Sequence, residues 1–443
     1  MSEIQTDREL PLDAVGTAEL MRKVTRRLIP FLFFLYIIAY LDRVNVGFAQ
    51  IKMKPDLGFN DAIFGIGSGI FFIGYFFFEI PSNLILERVG ARRWIARIMF
   101  TWGLLAMAMI FVHDKWSFYG LRFLLGAAEA GFFPGVILFL TYWFTRAERA
   151  RIIALFMTAT AVANMIGSPI SGALLEVSGF GLKSWQWLFI LEGFPAVALG
   201  FVVLAYLPDG PHNALWLNEA ERERVHARLL TDRQSNPIKH VALRDAVHNP
   251  YVWLLSLLYF LLVVPQYGVA MWLPQIVKGF SGLKNWQVGM VTGIPYFFAA
   301  MSMVLVAGHS DRTGERPLHV AIPGAIGATG LLASALVPYP WLKLLVLIVA
   351  AAGMWGTLGP FWTLPTSILG GTAAAGGIAL INSIGNLGGF VGPFAVGWIK
   401  TQTHSFTWPI VTLATFMYLA SLTAVLARAV GLAARQPLQP SGQ

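Results

Sequence analysis

Residues 28–50 read LIPFLFFLYIIAYLDRVNVGFAQ, and this run decides the fold. It matches the ~20 predominantly apolar residues that a helix needs to cross the hydrocarbon core of a bilayer. Near its far end stand Asp42 and Arg43. A charge deep in a membrane helix costs roughly 3 kcal/mol or more. The pair implies a partner, a water-filled cavity or a chemical task. The rest of the chain reads as a scaffold around it and a second pair, Arg122 with Glu129.

Composition extends that reading to the whole chain. Of 443 residues, 56% are hydrophobic and only 12% are charged, against about 25% charged in soluble domains. This is a polytopic membrane protein. Cysteine is absent, which excludes disulfides and thiolate metal sites. The histidines lie mostly in or beside loops without metal spacing, and no phosphate-binding loop is present. No cofactor, metal or ATP coupling is expected. Residues 1–20 are acidic and polar, and the first apolar run is too long for a secretory signal.

Twelve spans are predicted. The first half has Leu28–Gln50, Asp61–Leu86, Trp94–Val112, Ser117–Tyr142, Arg149–Leu175 and Gln186–Leu207. The second has Tyr251–Val277, Trp286–His309, Pro317–Val337, Trp341–Thr363, Ala373–Ile399 and Thr407–Ala427. All are read as helices, because lipid offers backbone groups no partner. The expected divisions are a tail at 1–27, six helices at 28–207, a linker at 208–250, six helices at 251–427 and a tail at 428–443. In the linker, Asn218 and Glu221 are spaced to cap a charged surface helix.

The net charge of +9 suggests nucleic acid until the charges are located. Of 32 Lys and Arg, 22 fall in the termini and one alternate set of connections, 8 in the other set, and Arg43 and Arg122 within spans. That bias puts both termini in the cytoplasm. No nucleic-acid partner is expected.

The chain also repeats itself. Glu87-Arg88-Val89-Gly90-Ala91-Arg92-Arg93 after the second span matches Asp311-Arg312-Thr313-Gly314-Glu315-Arg316 after the eighth. Gly167-Ser168-Pro169 matches Val391-Gly392-Pro393 at the same offset of 224 residues. One offset in two unrelated places indicates a duplicated six-helix unit, as in 6+6 transporters. The two loops resemble the signature of the major facilitator superfamily. That resemblance implies an all-α fold of two pseudo-symmetric six-helix bundles. It also implies that Glu87, Arg88, Gly90, Asp311, Arg312 and Gly314 form a conformational latch. The first copy departs from the family pattern with Glu87 for Asp and Asn83 for the leading Gly.

Arg122 and Glu129 are two turns apart on one face of the fourth span, with Glu129 near mid-membrane. Small residues and Pro134 around Glu129 allow close packing and bending. The pair could serve packing alone. Alternatively, an anion competing for the arginine changes the carboxylate's hold on a proton, which couples the two ligands. Leu41-Asp42-Arg43-Val44-Asn45, with Arg122 and Gly126-x-x-Glu129-Ala130, resembles the anion:cation symporters of the superfamily. Pro81-Ser82-Asn83 and Asp209-x-Pro211 extend the likeness over nearly the whole chain. The resemblance implies proton sites at Asp42 and Glu129, and anion-binding or gating arginines at Arg43 and Arg122. Arg122 is favoured as the carboxylate holder and Arg43 as a contact to Glu129 or the gate. The overall pattern is nearest bacterial tartrate and sugar-acid permeases.

The second half offers its helices mainly neutral polar groups. Substrate-binding candidates are Gln266, Tyr267, Asn382, Ser383 and Asn386, with Tyr75 and Asn164 from the first half. Each could instead serve helix packing. Glu79 and Glu192 are expected to cap helices or pair with loop groups. The expected function is import of a small organic anion with protons by a monomer in the bacterial inner membrane. Sodium-coupled transport, exchange of an aromatic or other acid, and a non-transporting sensor are the rivals. No nucleophile–base pair or metal set supports an enzyme.

Overall fold

The computed structural model describes residues 14–235, 248–368 and 373–433, and apart from one isolated bridge between Gly179 and Leu182 its regular structure is helical. Span 1 is the helix Ala14–Val44, which stops at Asn45 and resumes as Val46–Leu57. Spans 2 and 3 are Asp61–Val89 and Ala91–Ala108. Span 4 is broken into Lys115–Glu129 and Phe132–Thr141, and spans 5 and 6 are Arg146–Leu174 and Ser184–Tyr206. Spans 7, 8 and 9 are Pro250–Ser281, Asn285–Thr313 and Pro317–Leu336. Span 10 is Pro340–Gly356 followed by Leu358–Ile368, span 11 is Ala373–Asn386 followed by Gly388–Thr403, and span 12 is Thr407–Ala433.

Among the described residues, ten of these stretches are long and apolar enough to cross a membrane on length and composition. Spans 5 and 11 pack across the two halves. Span 5 lies against span 8 and span 11 against span 2, so each presents much of its surface to the opposite half rather than to lipid. A methyl group on Gly289 would fall 2.4 Å from the Ser168 carbonyl oxygen, and one on Gly65 would fall 2.7 Å from that of Pro393. Small residues let the backbones meet there. Both contacts lie toward the end of the molecule away from the termini. Large apolar side chains such as Phe77, Phe201, Val304 and Leu305 are exposed on span exteriors, as a lipid-facing surface requires.

The linker helix runs Glu219–Ser235. Asn218 and Glu221 form the expected reciprocal cap, with Glu221 N–H donating to Asn218 Oδ1 at 2.8 Å and Asn218 N–H to Glu221 Oε2 at 2.9 Å. The helix is docked rather than free. Lys23 pairs with Glu221 at 2.8 Å and Arg228 with Glu148 at 2.8 Å. Burial alone would push the Glu148 carboxyl up. The Arg228 guanidinium and the Thr145 hydroxyl and N–H outweigh it and hold the group below the usual carboxylate range.

In the two signature loops, Gly90 and Gly314 have φ of 95° and 69°, which only glycine adopts without strain. Asp311 accepts from Arg316 Nη1 at 2.6 Å inside its own loop, and Arg428 of span 12 reaches Glu315 at 3.4 Å. In the first copy Arg92 meets Asp209 at 3.5 Å, whereas Glu87 and Arg88 are exposed, as is Arg312 in the second.

Candidate functional site

The site is assembled at two helix breaks. Span 1 interrupts at Asn45, directly after Asp42 and Arg43. Span 4 interrupts after Glu129, where Gly131 takes φ of 86°. Spans 2 and 4 meet backbone to backbone, since a methyl group on Gly126 would fall 1.9 Å from the Phe71 carbonyl oxygen. That approach sets the depth at which Glu129 is held.

Arg43 is the hub. One terminal nitrogen donates to Glu129 and the other to the Tyr267 hydroxyl at 2.9 Å. Its guanidinium also lies 5.2 Å from the Tyr75 ring centre and 5.4 Å from that of Phe71. Tyr267 lies 224 residues after Arg43, so it is the counterpart of Arg43 in the duplicated unit. The two equivalent positions touch across the pseudo-symmetry, one cationic and the other neutral.

Asp42, adjacent in sequence, faces elsewhere. Its Oδ2 accepts from Trp102 Nε1 of span 3 at 2.7 Å, inside the first half. Arg122 is fully buried, with Nε donating to the Gly67 carbonyl and Nη2 to that of Ser68, both at 3.2 Å. It forms no ion pair among the described residues and does not line the cavity. Of the two arginines, the one favoured from the sequence to hold a carboxylate therefore sits on span 2 carbonyls. The one at the cavity is Arg43.

The cavity lies between the halves and measures about 50 Å³, far below the ~300 Å³ of even a small ligand pocket. Its wall includes Tyr36, Tyr40, Arg43, Tyr75 and Thr160 from the first half, and Tyr259, Gln266, Tyr267, Asn382 and Asn386 from the second, with Trp355 and Trp362. Gln266 donates to the Met354 carbonyl at 3.0 Å. Asn164 is buried, donates to the Thr160 carbonyl of its own helix at 2.8 Å, and is not part of the wall. A larger recess of about 270 Å³, lined by Tyr142, Asp209, His212 and His226, lies at the linker and off the path between the halves.

Glu79 departs from expectation. It is buried, and its partners among the described residues are on span 11 rather than in a loop. Asn382 Nδ2 donates to its Oε1 at 2.7 Å and Ser383 Oγ to its Oε2 at 3.1 Å, so it ties span 2 to span 11 across the halves. Glu192 likewise accepts from Ser171 of span 5 at 2.6 Å rather than from a loop. Sequence reasoning named Tyr75 and Tyr267 but missed Tyr36, Tyr40 and Tyr259 of the same aromatic wall, although their signal was present. Tyr36, Tyr40 and Arg43 recur at i, i+4, i+7, as do Tyr259, Val263 and Gln266, which puts each set on one helix face. Glu79 gave no such signal, because its donors come from the other half. Among the described residues no group of His, Asp or Glu is arranged to hold a metal.

The sequence profile described as Major Facilitator Superfamily matches residues 32–393. A protein of Agrobacterium vitis named "Putative tartrate transporter" is 48% identical over 413 residues, which is 93% of this chain and 92% of that protein. A "Quinolone resistance transporter" of Acinetobacter baumannii is 42% identical over 387 residues, 87% of this chain and 89% of that protein. Among solved structures, a bacterial homolog of the human lysosomal transporter Spinster, inward-facing and occupied, superposes with a TM-score of 0.76 at 15% identity. It covers 93% of this chain and 98% of its own.

Proposed function

This chain belongs to the major facilitator superfamily and is a multi-pass membrane transporter, and from that premise we propose that it imports a small organic anion by proton symport. The proposed cargo is a hydroxy-dicarboxylate such as tartrate, or a sugar acid. The membrane is the bacterial inner membrane, both termini are cytoplasmic, and one chain suffices for transport.

The observation that carries this reading is the position of Arg43, on the cavity wall between Glu129 of one half and Tyr267 of the other. An incoming carboxylate competes with Glu129 for the guanidinium. Once displaced, Glu129 is a buried charge without its cation, a state costing about 3–5 kcal/mol. Proton uptake relieves it. Anion capture and proton capture then favour one another. Asp42, on Trp102 behind the same helix break, serves as a second proton site or relay. Asn382, Asn386 and Gln266 receive the cargo's hydroxyl groups, and Glu79 must exchange Asn382 when they do. A relative named for tartrate is 48% identical to this chain and one named for quinolone resistance 42%, so similarity of this order spans different cargoes and the names alone do not choose one. The anion assignment rests on Arg43.

The test is uptake into proteoliposomes driven by a pH gradient, with tartrate, sugar acids and aromatic acids as cargo. Accumulation of a hydroxy acid that vanishes when the pH gradient is collapsed supports the reading. Accumulation that survives collapse and requires sodium sinks the proton assignment. Binding without uptake would make the protein a sensor.

A further inference from the structure

At the end of the molecule away from the termini, Asp61 opens span 2 and receives two ammonium groups. Lys54 of span 1 pairs with it, and Lys400 of span 11 lies 3.2 Å from the same oxygen. Lys400 also donates to Gln275 Oε1 at 3.1 Å. The Trp272 ring centre is 5.6 Å from the Lys54 nitrogen and 5.4 Å from that of Lys400, and Phe406 lies 4.1 Å from Lys400. The cluster straddles the seam. Lys54 and Asp61 belong to the first half, and Lys400, Gln275, Trp272 and Phe406 to the second.

One carboxylate against two ammonium groups leaves an excess positive charge in a part-buried place, where fields are less screened than at an open surface. If the halves part here, Asp61 stays with Lys54 on its own half. Lys400 is then left with the Gln275 amide and two aromatic faces. We propose that Lys400 and Gln275, with Lys54 beside them, form an anion-receiving site at the outer mouth. The cargo's carboxylate takes the place of Asp61 there before it passes inward to Arg43. Replacing one carboxylate by another on the same ammonium changes its surroundings little. The anion therefore competes directly with the contact that keeps this end shut, and a cationic mouth also speeds encounter. This inference rests on the anion-import reading above.

The experiment is tartrate uptake into intact cells, measured as initial rate against concentration at low and high ionic strength. Lys400→Gln is expected to raise KM on the order of tenfold, more than it changes the maximal rate, and to flatten the salt dependence. Asp61→Asn is expected to lower KM, because it frees both lysines. Lys52→Gln, an exposed lysine at the same end, is the control with unchanged KM. A merely structural tie is weakened by either Lys400→Gln or Asp61→Asn, so KM shifts of the same sign in the two variants overturn the proposal.

A second readout does not depend on the cargo. The chain has no cysteine, so Gln275→Cys supplies a single thiol. Its labelling by anionic relative to cationic methanethiosulfonate reagents should fall several-fold when Lys400→Gln is added. An unchanged ratio overturns the site. A reduced ratio in a protein that moves no tartrate upholds the site and refutes the tartrate reading instead.

Discussion

Arg43 meets a carboxylate, a phenol and several aromatic faces at once, and that combination needs the planar, multi-donor guanidinium. Arg43→Lys keeps the charge but cannot span Glu129 and Tyr267 together. Uptake is expected to fall by about tenfold or more while the protein still inserts and folds, as judged by chromatographic behaviour in detergent. Asp42→Asn and Glu129→Gln should each abolish gradient-driven accumulation, with Glu129→Gln sparing exchange of external for internal anion. Full accumulation in both would remove them as proton sites. The Arg43–Glu129 contact was among the options read from the sequence, since both residues are costly charges within spans and each needs a partner. The role of Arg122 was not, because carbonyls of another helix satisfy it and carbonyls leave no mark in a sequence.

At the scale of elements, the breaks in spans 1 and 4 and the close approach of spans 2 and 4 fix the site. Gly126→Val would drive methyl groups into the Phe71 carbonyl. Overpacking of this kind costs about 1–3 kcal/mol. Detergent-solubilised Gly126→Val should therefore unfold at lower temperature and lose uptake together. Glu79 gives a finer test of the tie between spans 2 and 11. Glu79→Gln can still accept from Asn382 or Ser383, whereas Glu79→Ala cannot, so Glu79→Gln should retain more uptake than Glu79→Ala. Equal loss in both would show that the charge, not the tie, matters. The docked linker helix carries a pH dependence. The Glu148 carboxyl is held below its ordinary range by Arg228. Its contribution to docking is present above the ordinary carboxylate pKa and is lost as pH falls through the depressed folded value. Amide exchange in Glu219–Arg228 should accelerate only as acid reaches that window, and Arg228→Gln should remove the effect.

For the whole molecule, the seam between the halves decides what can move. Glycines bring spans 5 and 8, and spans 2 and 11, into backbone contact toward one end. Side-chain hydrogen bonds donated by Asn382 and Ser383 to Glu79 join the halves on the other side of the cavity. Gly289→Val should keep the glycine-packed end from closing. The variant should bind anion yet fail to accumulate it, and a thiol placed at Met271, which packs against Gly47, should become reactive from outside.

The sequence by itself determined the membrane class, the helices, the duplication at one offset, the capped linker helix and the identity of the costly charges. Those features are local or periodic, and hydropathy, turn chemistry and spacing record them directly. Only the tertiary structure decided the pairings. It separated Asp42 from Arg43, put Arg43 rather than Arg122 at the cavity, and gave Glu79 its donors on the opposite half. These choices depend on which helix faces which across a glycine-packed seam, and a buried polar group takes whichever donor or acceptor that packing brings within reach.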